Sequence, residues 1–138
     1  MRRKKKFAML AAGTGINPLL SIAQASILSC DGVEIVIIYS NKTKNDILCK
    51  PELDALCIRS KYIKIHYTLT RHSPLVHGNR AGLVGRISTY MMEQCEFPTK
   101  PDKYLTVLVC GPHSFETDML KKFISFGFEH GKDLINIV

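Results

Sequence analysis

The chain has 138 residues, enough for one domain with a single core and no need of cross-links. Its 46% hydrophobic and 22% charged content excludes an intrinsically disordered chain, and no apolar run nears the roughly 20 residues of a membrane-spanning helix. With 19 basic residues against 12 acidic ones, the net charge of +7 suits an anionic nucleotide or an acidic protein partner. The basic residues are too dispersed, and too far from any aromatic-rich motif, for a nucleic-acid surface.

Residues 1–6 form a basic segment, Arg2 to Lys6, read either as a solvated tip or as a truncated linker; one folded domain is expected over 7–138. The apolar stretch after it is broken by Gly13 and Gly15, so no secretory leader is expected and the chain is expected in the cytoplasm. The cysteines at 30, 49, 57, 95 and 110 are odd in number and form no C-x-x-C pair. Three of them, Cys49, Cys57 and Cys95, fall in helical patterns. Reduced thiols are expected, with no disulfide framework and no metal site.

Phe7 to Ala12 is a short apolar run ending in a glycine turn and reads as a buried strand. Apolar residues at Leu19, Leu20, Ile22, Ala23, Ile27 and Leu28 predict a helix over Pro18 to Leu28. Val33 to Tyr39 is almost continuously β-branched, as in a strand covered on both faces. Asn45 to Ser60 reads as helical, with Pro51 opening its second part. Ile63 to Leu69 is a third strand, and Arg71 to Arg80, with Pro74, Gly78 and Asn79, a loop. Ile87 to Cys95 is a helix burying Met91 and Met92. Tyr104 to Cys110 is a strand, Phe115 to Phe126 an amphipathic helix, and Leu134 to Val138 a closing strand. Strands alternating with helices predict an α/β fold: a five-stranded parallel sheet with helices on both faces. Such sheets bind ligands beyond the carboxyl ends of their strands, where the strand order reverses.

Two turns stand at such ends. Gly13-Thr14-Gly15-Ile16-Asn17-Pro18 follows the first strand. Its glycines admit close approach of a ligand, and the helix behind it offers unpaired N–H groups and a positive dipole end to a phosphate. Pro18 in the first helical turn loses no needed donor. A plain tight turn is the competing reading. Cys110-Gly111-Pro112-His113-Ser114-Phe115 follows the fourth predicted strand and sets a thiol at the same edge. A lone cysteine there is also compatible with a small buried hydrophobe.

The two motifs together resemble the pyridine-nucleotide domain of the ferredoxin-NADP reductase superfamily, and most closely its NADH–cytochrome b5 reductase branch. The stretches Tyr39-Ser40-Asn41-Lys42-Thr43, Pro51-Glu52-Leu53, Tyr67-Thr68-Leu69 and Gly82-Leu83-Val84 extend the resemblance along nearly the whole chain. It implies a Rossmann-like NAD(P)-binding fold. Gly13, Thr14 and Gly15 would border the pyrophosphate, with the helix from Pro18 behind them. Asn41 and Lys42 would lie along the adenosine, and Cys110, Gly111 and Pro112 beside the nicotinamide. Cys110 would position the hydride-donating carbon and form no covalent bond. Phe115 would pack beneath the site or simply in the core. Where NADH-preferring members carry Asp after the Tyr-Thr-Leu strand, this chain has Thr70 followed by Arg71, a pair that tolerates and can bind a 2′-phosphate. Leu83 stands where many relatives have Phe.

The resemblance further implies a function: the lobe that binds NADH or NADPH and delivers hydride to FAD, with electrons passed to a haem protein such as cytochrome b5. FAD itself would be held by a separate barrel domain, for which no motif precedes Phe7. The isolated domain is therefore expected to bind nucleotide without turning it over. An acidic haem partner suits the net charge, and any membrane attachment would be at a cytosolic face through a preceding region. The alternatives are the same lobe of a nitrate reductase or fused cytochrome b5 oxidoreductase, and a free-standing nucleotide-binding or regulatory module.

Overall fold

A computed structural model describes residues 5–29, 32–71 and 83–137. Cys30, His72, His77, Gly82 and most of the Arg71–Arg80 loop lie outside those residues, as does Val138. The elements are β1 (Lys6–Ala12), α1 (Ile16–Ser29), β2 (Glu34–Asn41), α2 (Lys50–Arg59), β3 (Ile63–Leu69), β4 (Leu83–Val84), α3 (Thr89–Gln94), β5 (Leu105–Cys110), α4 (His113–Ser125) and β6 (Leu134–Asn136).

The strands form one sheet in the order β4-β3-β2-β1-β5-β6, and every pairing is parallel. Successive side chains of a strand point to opposite faces, so a strand covered twice must be apolar throughout. In β1, Ala8 and Leu10 join the core beneath α3 and α4, while Met9 and Ala11 join the one beneath α1 and α2. In β2, Val36 and Ile38 take the first face and Ile35, Ile37 and Tyr39 the second. The expected architecture holds, with six strands among the described residues instead of five. The additional strand, β4, is a two-residue edge segment paired with Thr68 and Leu69, too short to show a two-residue period.

The predicted helix over Asn45 to Ser60 is broken in two. Thr43 and Asp46 close a capping box around a single 3-10 turn, Lys44–Asp46, with the Thr43 N–H donating to Asp46 Oδ2 at 3.0 Å. The chain is then extended at Ile47 and left-handed at Cys49 (φ 58°) before α2 begins at Lys50. Cys49 is thus an N-cap, and Cys95 likewise caps α3 from outside the helix. Pro51 sits in the first turn of α2, where its missing N–H has no intrahelical acceptor. At the other ends the shifts are small: α1 starts at Ile16 and α4 at His113, each two residues before the expected position.

Helix α3 stops in a Schellman motif. The Phe97 N–H donates to the Met92 carbonyl at 2.8 Å and the Glu96 N–H to the Glu93 carbonyl at 3.1 Å, with Met92 and Phe97 buried together. Glu96 is the left-handed residue of this motif, at φ 56°, and its side chain is exposed. Glycine carries no penalty in that conformation. Glu96→Gly is therefore expected to raise stability by about 0.5 kcal/mol, the left-handed penalty relieved less the entropy glycine adds to the unfolded chain. Urea unfolding of the two proteins measures it.

On β3, His66 Nε2 is buried with no hydrogen-bond partner among the described residues. Burial lowers its pKa, Lys64 adds to the effect and Glu96 opposes it. The folded state thus prefers the neutral ring. Its contribution to stability is present above the ordinary histidine value of about 6.5 and is lost as pH falls through the lower folded value. The unfolding temperature is expected to drop more steeply between neutral pH and pH 5 in the native chain than in His66→Phe.

Candidate functional site

The strand order runs outward from β1 through β2, β3 and β4, and β5 returns to the other side of β1. The reversal leaves a crevice between the carboxyl ends of β1 and β5, and both glycine turns lie there. Gly13–Gly15 forms a 3-10 turn that leads directly into α1, the Ile16 N–H donating back to the Gly13 and Thr14 carbonyls. Cys110 ends β5, Gly111 turns the chain, and Pro112 is the N-cap of α4.

The turns touch. A Cβ on Gly15 would run into the Cys110 carbonyl and stand 2.7 Å from the Gly111 nitrogen. One on Gly111 would stand 2.8 Å from the Phe115 ring and 3.1 Å from the Ala12 side chain. The two motifs, remote in sequence, form one interlocked surface whose close approach needs glycine on both sides. The Phe115 ring packs on the core beneath α4 and also lines the cleft described below.

Cys110 is 6% exposed, faces the α1–α2 core, and donates from Sγ to the Ile137 carbonyl at 3.2 Å. Burial, and then the nearby Glu116 carboxylate, raise its thiol pKa. A thiol held protonated this way is a weak nucleophile and a good spacer. Glu116 also accepts from the Gly111 N–H at 3.4 Å and from Asn136 Nδ2 at 3.3 Å, joining α4, the turn and β6. The sequence reading passed over Glu116, whose position one turn into a helix marks it only as a favourable charge for the helix end.

Along the edge, the ends of β2 and β3 are zipped together. The Thr70 N–H donates to the Asn41 carbonyl at 2.9 Å and the Arg71 N–H to the Lys42 carbonyl at 2.8 Å. Asn41 and Lys42, expected along the adenosine, and Thr70 and Arg71, expected to accommodate a 2′-phosphate, therefore form one patch. Asn41 is 7% exposed; its Nδ2 makes no close hydrogen bond among the described residues, and its side chain lies beside the Tyr39 hydroxyl. From this patch a cleft of about 840 Å³ runs toward α4, lined by Ser40, Lys42, Thr70, Arg86, Thr89 and Phe115 among others. Arg86 is a cation the sequence reading missed, because it follows Gly85 just after the unseen strand β4. Pro18 is the third residue of α1, behind the glycine turn and away from the cleft lining.

An open parallel sheet with interlocked glycine turns at its switch point, a helix start behind one of them and a cationic cleft beside them defines a doubly wound, dinucleotide-binding domain. The chain belongs to the oxidoreductase NAD-binding domain family, whose model matches residues 9–121. It is 31% identical over 131 residues to NADH-cytochrome b5 reductase 1 of Pyricularia oryzae, covering 93% of this chain and 40% of the relative. It is 35% identical over 129 residues to nitrate reductase [NADPH] of Emericella nidulans, covering 91% of this chain and 14% of that protein. The chain thus spans about two fifths of the cytochrome b5 reductase it matches. Among solved structures, the CS-b5R domains of human Ncb5or in the NAD+ form share the fold with a TM-score of 0.80 at 20% identity, covering 98% of this chain and 37% of that one. A Neisseria gonorrhoeae ferredoxin NADP+ reductase with bound FAD and NADP matches with a TM-score of 0.77 at 19% identity, covering 97% and 56%.

Proposed function

We propose that this chain is the nucleotide lobe of a flavin-dependent oxidoreductase of the cytochrome b5 reductase type, working at the cytosolic side of the cell. The carrying observation is the interlocking of Gly15 with Cys110 and Gly111 at the switch point of an NAD-binding-family sheet. In this reading the Gly13–Gly15 turn and the start of α1 hold the pyrophosphate, and the Asn41, Lys42, Thr70 and Arg71 patch holds the adenosine end. Cys110 and Gly111 set the depth of the nicotinamide, and the protonated thiol keeps clear of covalent chemistry. A flavin on its own barrel domain, when joined to this lobe, supplies the hydride acceptor. An acidic haem protein such as cytochrome b5 is the expected recipient of the electrons, matching the net charge of +7.

The cations near Thr70, namely Lys42, Arg71 and Arg86, favour NADPH at least equally with NADH. Calorimetric titration of both nucleotides into the chain tests this, and a strong preference for NADH overturns it. A diaphorase assay tests the lobe assignment: no turnover is expected from the chain alone, and turnover is expected once a flavin-loaded barrel is fused ahead of it. Efficient turnover by the chain alone, or nucleotide binding with no gain from the fused barrel, favours a free-standing module instead.

A further inference from the structure

Tyr39, at the end of β2, is fully buried among the residues beneath α1 and α2, yet its hydroxyl reaches the edge of the sheet. It donates to the Gly13 carbonyl at 2.7 Å and accepts from the Leu48 N–H at 3.3 Å. The Gly13 carbonyl can only accept, so the phenol's own proton goes to it, and the phenol oxygen is left to accept from the Leu48 N–H. The ring is held from the side by Tyr67, with centroids 6.3 Å apart, and the Tyr67 hydroxyl is anchored on Asp54 of α2 at 2.7 Å.

Gly13 is the first residue of the glycine turn and is left-handed, at φ 58° with nothing crowding its Cβ position. A peptide next to such a glycine is free to rotate unless something holds it. The Gly13 carbonyl and the Thr14 N–H belong to one planar trans peptide and point in opposite directions. Tying the carbonyl inward to Tyr39 therefore aims the Thr14 N–H outward, into the crevice. The Ile16 N–H also holds this carbonyl; with the Tyr39 tie lost and only that bond left, a rotated peptide would turn an oxygen toward the same space, where an anion would be repelled and a donor lost.

We propose that Tyr39 is a positioning residue that holds the glycine turn in its anion-accepting orientation and so sets the affinity for the pyrophosphate of the bound nucleotide. This rests on the reading above that the pyrophosphate lies at Gly13–Gly15. The hydroxyl touches no ligand in this scheme; it acts through the Gly13 peptide.

The test compares ADP, which carries a pyrophosphate, with adenosine, which does not, by calorimetric titration into the native chain and into Tyr39→Phe. Phenylalanine keeps the buried ring and removes only the hydroxyl. ADP affinity is expected to fall about tenfold in Tyr39→Phe, as for a lost orienting hydrogen bond, with adenosine changed less than about twofold. If the native chain itself does not prefer ADP, the pyrophosphate assignment fails. If it does and Tyr39→Phe keeps the same preference, or loses both ligands equally, the role given to Tyr39 fails. A second measurement uses the native chain alone, by NMR. The Tyr39 hydroxyl proton is expected to stay protected from solvent exchange when ADP is bound, and loss of that protection overturns the proposal.

Discussion

Gly15→Ala is expected to destabilise the domain by about 3 kcal/mol and to weaken nucleotide binding at least about tenfold, the upper range for forcing atoms into a packed interior. The added methyl has no flexible neighbour to push aside. It meets the Cys110 carbonyl and the Gly111 nitrogen, both backbone atoms at the end of β5. Relief requires the β1 and β5 turns to separate, and β5 is paired with β1 along its whole length, from Leu105 to Cys110. The crevice would open where the ligand is to be gripped. Gly13→Ala provides the internal contrast. That position is left-handed but spacious, so alanine there costs only the backbone penalty, about 1 kcal/mol. Denaturant midpoints and nucleotide titrations on the two variants separate close approach from conformational freedom. Equal effects would mean that the contact with Cys110 is not what requires glycine.

Thr70→Asp is expected to turn the nucleotide preference toward NADH. Thr70 lines the cleft with Lys42 and Arg86, and its backbone is bonded to Asn41 beside Arg71. A carboxylate about 5 Å from a 2′-phosphate, at an effective dielectric near 20, costs about 3 kcal/mol, or about a hundredfold in affinity. NADH lacks that phosphate, and its affinity should change only a few-fold. The selectivity comes from repulsion of one ligand, not from any new contact to the other. Arg71→Ala should weaken NADPH about tenfold by removing a charge-assisted contact while leaving NADH nearly unaffected. Paired titrations of both nucleotides at one fixed salt concentration measure these changes, since the charge effects are screened. Equal losses for both nucleotides in Thr70→Asp would remove Thr70 from the 2′-phosphate position.

The parts of this molecule that were legible in its sequence are those governed by short-range rules. Val33 to Tyr39 and Tyr104 to Cys110 are nearly continuous apolar runs, broken only at Glu34 and Thr106, and a strand buried on both faces leaves that signature regardless of its neighbours. The glycine turns after β1 and β5 were visible for the same reason, as breaks at strand ends followed by helical spacing. The segment from Asn45 to Ser60 was misread because its composition is helical while a capping box and a left-handed Cys49 stop one turn and start another. Those are geometric events at single residues, and averaged propensity does not register them. Strand β4 escaped because two residues carry no period, and Arg86 was overlooked with it.

Set beside the family it resembles, the sequence offered the Thr70-Arg71 departure; taken alone, it determined an alternating α/β chain and the two strand-end motifs. These follow from side-chain patterning and from residue types at fixed offsets, which folding does not alter. The tertiary structure decided that the two motifs are neighbours in one crevice, because the strand order reverses between β1 and β5. It also decided that Gly15 is glycine for want of space against Cys110, and that Tyr39 reaches back from β2 to hold the Gly13 carbonyl. Such contacts join residues far apart along the chain, and only the packing of the sheet brings their atoms within reach.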